Sequence, residues 1–403
     1  MSSIAEFDGE ISNFPPEETV AQSLAEPWKD EDFFRDHAGM SDAKLSAMYG
    51  GGKTSWHKFR KEFDIGRFDT YNSPDRPSNE SITKFLARGR TLEELVSKGF
   101  TLEDVRSVEG YDLFETRTHN YELVYLLLPK IAPVERQPKI WSYRWAQDVD
   151  GTRQPYLMIQ MPDTDWEKIK VVPLADVHYG ASACMVDKLR EYVNWIASRD
   201  EIFCILPGDL FENSHGDSNK GISMYEQEIR PRSQVEDMLE ILSPIAHKIL
   251  WALPGNHEDR SRVRDYDPLE YLCKMLDIPY SYEPVFSDVL WKGQVFSFHT
   301  QHGKAGGQTK GGKMNAAARP QEMQEFVMFT IMAHVHDGDV SRTTRICRDR
   351  RNFRLVFKKQ YIIICPAFYG YFNSYASKAG YKPGSYGSIN MDLYANGDFH
   401  ANS

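Results

Sequence analysis

The sequence predicts an α/β protein: a β-sandwich flanked by helices, preceded by a small, mainly helical N-terminal region. Three observations carry this. From residue 168 onward, short apolar runs such as Val171–Ala175 alternate with helical patterns such as residues 185–199 and 233–250, and that alternation builds sheets covered by helices. Five apolar runs end in residues that bind hard metal ions, at the strand ends where α/β sheets present their chemistry. Before residue 130, by contrast, short patterns opened by Ser or Thr dominate, as capped helices do.

In chain order, residues 1–30 are acidic, contain Pro15–Pro16 and lack periodicity, which predicts a flexible tail. Residues 31–130 read as a helix-turn-helix or winged-helix-like region. Its first part, residues 41–66, offers a capped apolar helix, a Gly50–Gly52 turn and a helix opened by Thr54 or Ser55. That second helix carries Trp56, His57, Lys58, Arg60 and Lys61, so it is either a DNA-contacting face or a solvated basic surface. A phosphate-loop reading fails, because Ala47 stands where the motif needs glycine. Residues 81–110 then suggest three short helices, and residues 111–129 a hairpin turning at His119–Asn120. The third helix is acidic, which favours a protein partner there over DNA. Residues 131–167 read as a β-hairpin linker turning at Asp150–Gly151, and residues 168–403 as the catalytic domain.

The five strand ends are the centre of that domain. Residues 168–180 (KIKVVPLADVHYG) present Asp176 and His178; residues 202–213 (IFCILPGDLFEN) present Asp209 and Glu212. Residues 248–260 (KILWALPGNHEDR) present Asn256, His257 and Glu258. Residues 294–307 present His299 and His302, and residues 326–338 (FVMFTIMAHVHDG) present His334 and His336. A single polar pair after a strand is weak evidence. Five in order, offering carboxylate, amide and imidazole, point to a metal centre.

In these blocks (DVH, GDLFE, GNHE, HG and AHVH) the chain resembles the calcineurin-like metallophosphoesterase superfamily over roughly residues 168–400. Glu212 stands where the family has Asp, and Ala333 where it has Gly. The resemblance implies two divalent ions, one held by Asp176, His178, Asp209 and His336, the other by Asp209, Asn256, His302 and His334. His302 and His299 compete for one of these places, and His302 is preferred because the HG form resembles phage-type members. It further implies that His257 protonates the leaving alkoxide and that Glu212 orients it. Two ions about 3.5–4 Å apart acidify a bridging water and clamp the phosphoryl group. An oxygen and imidazole set without thiolate suits Mn²⁺, with Fe or Zn²⁺ as alternatives.

Composition bounds the rest. With 41% hydrophobic and 26% charged residues and no apolar run of bilayer length, the 403-residue chain reads as globular, without membrane association. The N-terminus lacks the basic and apolar features of a signal peptide. Five widely spaced cysteines without a CxxC motif suggest reduced thiols, hence a cytoplasmic setting, bacterial or in a phage-infected host. His215 and Asp217, in the polar stretch 213–233, read as solvated. Residues 306–313 also fail as a phosphate loop, since Met314 follows Lys313.

The net charge of −10 excludes a uniformly basic nucleic-acid binder. Yet residues 341–360 hold eight Arg or Lys against one acid, Asp349, in two alternating runs that suggest a hairpin beginning at the metal site. Arg348, Arg350 and Arg351 are its candidate substrate contacts. The expected function is therefore a phosphodiesterase acting on nucleic acid. The alternatives are a small-substrate phosphatase or cyclic-nucleotide phosphodiesterase, and a DNA-binding or assembly factor with a vestigial metal site.

Overall fold

A computed structural model of the chain describes residues 42–49, 53–62, 78–117, 123–130, 137–216, 227–262, 266–304, 309–372, 374, 377, 380 and 382–402. The chain divides into two units, Met1–Ser81 and Ile82–Ser403. The first contains α1 (Asp42–Tyr49) and α2 (Lys53–Glu62). Asp42 joins them by accepting from Arg60 Nε at 2.8 Å, with His57 Nδ1 at 3.3 Å. Trp56 and Arg60 are buried. Arg60, expected on an exposed basic face, is thus withdrawn and neutralised by Asp42. The Gly50–Gly52 turn and residues 1–30 lie outside the described residues.

The second unit opens with helices α3 (Asn79–Phe85, spanning the division), α4 (Leu92–Ser97) and α5 (Leu102–Arg106) and with strands β1 (Tyr111–Arg117) and β2 (Leu123–Pro129). Thr91 and Thr101 cap α4 and α5, with Glu94 and Asp104 returning the bond to the cap backbone, so each short helix has its first orphan N–H groups satisfied. Strand alternation gives β2 two duties. Tyr125 and Leu127 close a small core with Ile82, Leu86, Leu95 and Val105, while Leu126 and Leu128, with Phe114 of β1, enter the main core. The expected turn at His119–Asn120 lies outside the described residues.

The main body contains β3 (Ser142–Gln147), β4 (Arg153–Gln160), β5 (Lys168–Pro173), α6 (Val186–Ala197), β6 (Ile202–Leu206), α7 (Pro231–Leu242), β7 (Ile249–Ala252), α8 (Asn256–Arg262) and α9 (Pro268–Leu276). It continues with β8 (Val285–Trp291), β9 (Gln294–Gln301), α10 (Lys310–Ala318), β10 (Phe329–Met332), β11 (Asp339–Asp349), β12 (Arg354–Ile364), β13 (Asn390–Tyr394) and β14 (Phe399–Asn402). Two sheets result, ordered β11-β12-β10-β9-β8-β4-β3 and β14-β13-β5-β6-β7. The 142–160 hairpin, read from sequence as a linker, is the edge of the larger sheet, because β4 pairs in parallel with β8.

The sheets pack face to face. Ile169 and Val171 of β5 and Phe203 and Ile205 of β6 meet Val285, Phe298, Phe329 and Ile363 across the sandwich. The alternate residues Val172, Cys204 and Leu206 face α6, α7 and α9. Both faces of β6 and of the end of β5 are therefore covered, which is why Ile202–Leu206 and Val171–Val172 are apolar throughout, while Lys168 and Lys170 earlier in β5 pair with Asp392. On the far side, Ala317 of α10 packs on Met332, Ile362 and Ile364. The architecture is the expected helix-flanked β-sandwich. No helix among the described residues is long and apolar enough to cross a membrane.

Candidate metal centre

All five predicted blocks meet at the carboxyl ends of β5, β6, β7, β9 and β10. The parallel register continues past the strands: Asp176 N donates to Gly208 O at 3.1 Å, and His178 N to Asp209 O at 3.0 Å. The backbone then turns sharply. Asp176, His178, Asp209, His334 and His336 all have φ between 50° and 73°, a region that non-glycine residues adopt rarely and mostly as Asn, Asp or His. Two glycines permit the close approach of the loops. A Cβ on Gly208 would lie 2.6 Å from Gly255 N, and one on Gly255 would lie 2.2 Å from Asp209 Oδ1. Ala333, before His334, carries no such strain, since its φ is not among the positive values.

The side chains fall into groups whose ligand atoms lie within 4.8 Å of one another. One is Asp176, His178 and His336; another is Asp209, His302 and His334. Asp209 faces both, its Oδ2 standing 3.1 Å from His302 Nε2 and 3.9 Å from His178 Nε2. Asn256 Oδ1 is 3.2 Å from His302 Nε2. His178 Nε2 faces His336 Nε2 at 3.0 Å, and His334 Nδ1 faces His302 Nε2 at 3.3 Å. Ring nitrogens pointed at one another between two carboxylates are a converging set of lone pairs, and a cation between them resolves the clash that protonation of both rings would create. The donors fit two divalent ions.

His299, the competitor of His302, lies elsewhere. Its ring packs on Phe286 at 4.7 Å, its Nδ1 has no hydrogen-bond partner, and burial lowers its pKa to about 4.

Electrostatics follow the same pattern. Burial alone would raise Asp209 and Asp176, but His302 and His257 hold the first well below the carboxylate range, and His336 the second below it. Burial opposes charge on His302, yet Asp209 and Asp176 raise it to about 10. His178 is lowered to about 4 by burial and by His257.

His257 and Glu212 stand beside these ligands. His257 Nδ1 is 2.9 Å from Glu212 O and 3.4 Å from its Oε2, and His178 Nδ1 is also 3.4 Å from Oε2. Burial would raise Glu212, but these two imidazoles lower it strongly.

Three neighbours were not assigned roles from the sequence. Glu258, fully buried, accepts from the N–H groups of Asp209 (3.0 Å), Leu210 (2.8 Å), Phe211 (3.2 Å) and Gly255 (2.7 Å). Burial and Asp209 push it up to about 7, against the pull of the Gly255 N–H. Arg260 donates to Glu212 O (2.8 Å) and to Ser214 Oγ (3.0 Å), and its Nη2 lies 2.8 Å from His257 Nε2. Asn213, also at positive φ, donates to His257 O at 2.7 Å. Only the adjacency of these residues to the motif blocks could have signalled them. His215, read as solvated, is partly buried with Nε2 2.9 Å from Ser261 Oγ, and Asp217 lies outside the described residues.

Arg348, Arg350 and Arg351 are exposed on the β11–β12 hairpin, which starts three residues after His336. Asp349, the one acid of residues 341–360, is occupied by Asn352 Nδ2 (2.8 Å) and Arg354 Nε (3.2 Å). A separate cavity of about 460 Å³ beside β1, β4 and α9, lined by Arg153, Arg262, Glu270 and Lys274 among others, contains none of the candidate ligands.

No family model and no curated protein matches the sequence. Among solved structures, the chain is similar to the Haemophilus influenzae NAD nucleotidase (8% identity over 59% of this chain and 49% of that one, TM-score 0.28). It is also similar to the Pseudomonas putida nuclease MPE (15%, 63% and 97%, TM-score 0.24) and to the calcineurin-like phosphoesterase YfkN of Bacillus subtilis (10%, 58% and 89%, TM-score 0.26). The chain spans about half the length of the first. Scores this low leave the residues of the site as the ground for any functional reading.

Proposed function

We propose that the chain is a binuclear metal-dependent phosphoesterase that hydrolyses phosphodiester bonds of nucleic acid. The observation that carries this is the meeting of Asp176, His178 and His336 with Asp209, His302 and His334, with Asp209 facing both groups. Asp176, His178, Asp209 and His336 would hold one ion, and Asp209, Asn256, His302 and His334 the other, Mn²⁺ suiting this set. Such ions supply an acidified water and neutralise the phosphoryl oxygens.

The remaining work falls to the chain's own residues. His257 is the group that protonates the leaving alkoxide. Arginine only donates, so Arg260 Nη2 at 2.8 Å makes His257 Nε2 an acceptor and leaves the ring proton on Nδ1, toward Glu212 O. Burial disfavours the imidazolium, but Asp209 and Glu212 raise His257 overall. The Arg260 contact and this charge environment pull in opposite directions. A phosphoryl anion reconciles them: it draws Arg260 onto its oxygens and frees Nε2 to carry the acid proton. Glu212 then orients and balances the charged ring.

The substrate class rests on the basic hairpin, where Arg348, Arg350 and Arg351 lie exposed and Asp349 beside them is already satisfied. The test is metal analysis of protein equilibrated with Mn²⁺, beside hydrolysis of bis(nitrophenyl) phosphate and of an oligonucleotide. Two ions per chain, with both activities lost to chelator and restored by Mn²⁺, is the expected result. Fewer than two ions and no phosphoester hydrolysis would refute it. Hydrolysis of small esters alone would transfer the reading to a small-substrate enzyme.

A further inference from the structure

The β11–β12 hairpin carries more than charge. Residues directly opposite in an antiparallel pair share a face, and here Ile346 opposes Phe357 while Arg348 opposes Leu355. Ile346, Leu355 and Phe357 are 64%, 65% and 75% exposed, and Phe353 at the turn is 99% exposed. The other face is anchored: Arg345 donates to Gln321 O at 2.8 Å, and Lys358 sits 5.0 Å from the Phe326 ring. The first face, held at Lys359 by Asp398, interleaves Arg342, Ile346 and Arg348 with Phe357 and Leu355 over about 20 Å of strand.

Charge alone would explain a guarded edge strand; three large apolar side chains in the middle of it are not explained that way. A second copy of the chain would bring arginine against arginine. Duplex nucleic acid would satisfy the arginines but keeps its base faces stacked inside. A single strand offers both a phosphate backbone and unpaired bases, and stacking on aromatic side chains beside basic residues is how such strands are held. We infer that this face of the β11–β12 hairpin binds single-stranded nucleic acid, Arg342 and Arg348 contacting phosphates and Phe357, Leu355 and Ile346 contacting base faces. This rests on the nucleic-acid reading above and narrows it.

The test is anisotropy of labelled, phosphorothioate-linked single-stranded and duplex oligonucleotides with the metal-loaded full chain, over a salt series. Phe357→Thr keeps a strand-forming residue and should weaken single-strand binding about tenfold, leave the salt slope unchanged and spare the duplex. Phe357→Tyr should restore binding, which separates loss of the ring from loss of fold. Arg348→Ser should flatten the salt slope on either substrate. If Phe357→Thr and Leu355→Thr leave single-strand affinity unchanged, or weaken both substrates equally, the inference falls while the Arg348 result still reports on the nucleic-acid reading. If the unaltered chain binds neither oligonucleotide, that reading falls as well. If Phe357→Thr changes the sedimenting mass and not the binding, the face joins protein to protein and the inference is overturned.

Discussion

Glu258→Gln is the substitution whose effect the geometry fixes most tightly. Each carboxylate oxygen of Glu258 accepts two backbone N–H groups, from Leu210 and Phe211 on one side and from Asp209 and Gly255 on the other. A carboxamide keeps the shape and one oxygen. Its NH₂ would face two N–H groups, leaving two buried donors unpaired at about 1–3 kcal/mol each. A destabilisation of about 4 kcal/mol is expected for the metal-free protein in urea unfolding. The strained donors flank Asp209 and Asn256, so the loss also reaches these candidate ligands. Outer-shell changes of this kind weaken metal binding about 10–100-fold, which titration calorimetry with Mn²⁺ would read directly. An unfolding free energy within about 1 kcal/mol of the unaltered protein, with Mn²⁺ affinity unchanged, would show that Glu258 does not hold the two loops.

Four further outcomes are expected. Asp209→Asn should abolish phosphodiesterase activity and lower bound metal from two ions, because the carboxylate facing both groups loses its charge; two ions with intact turnover would remove it from the bridging place. His257→Ala should slow esters with poor leaving groups far more than nitrophenyl esters, with metal content unchanged and Glu212→Gln giving a milder version; equal losses on both ester types would exclude the acid role. Because His302 is raised to about 10 and must bind an ion unprotonated, Mn²⁺ affinity should climb about tenfold per pH unit between about 7 and 9 with release of about one proton, and a flat profile in buffers of differing ionisation heat would refute this. Changing Arg348, Arg350 and Arg351 together to Ser should lower the salt slope of single-strand binding by roughly 2, at about 0.7 per phosphate contact; an unchanged slope would take these residues off the substrate path.

The meeting of the candidate ligands was largely legible because each candidate follows its own strand in a short motif. The choice between His299 and His302 was also legible in principle. Strand alternation sends Phe298 into the sandwich and His299 to the opposite face against Phe286, whereas His302 belongs to the turn beyond β9. What escaped were relations between distant residues. The burial of Arg60 depends on Asp42, eighteen residues away. The 142–160 hairpin joins the sheet through β8, a strand that starts at Val285. Glu258 reads as one letter of a motif until the N–H groups of residues 209–211 are seen converging on it. Local pattern specifies strands and turns, but pairing partners across the chain are set by the assembled core.

The protein's own contacts hold the unusual backbone at the centre in place. Among the described residues, nine non-glycine positions have φ in the left-handed region, and five of them are candidate ligands, with Asn213 a sixth beside them. Such positions cost of order 1–3 kcal/mol each and persist only where surrounding structure enforces them. Here the enforcing contacts are visible: His334 N donates to both oxygens of Asp176, His257 N to Asp209 Oδ1, and Phe368 N to Asp176 O. The strain is balanced by the sandwich and by Glu258, so these contacts fix the backbone that carries the candidate ligands. Weakening a supporting contact should therefore lower metal affinity even when every ligand is kept, and the loss should be largest at Glu258, where four supports share one side chain.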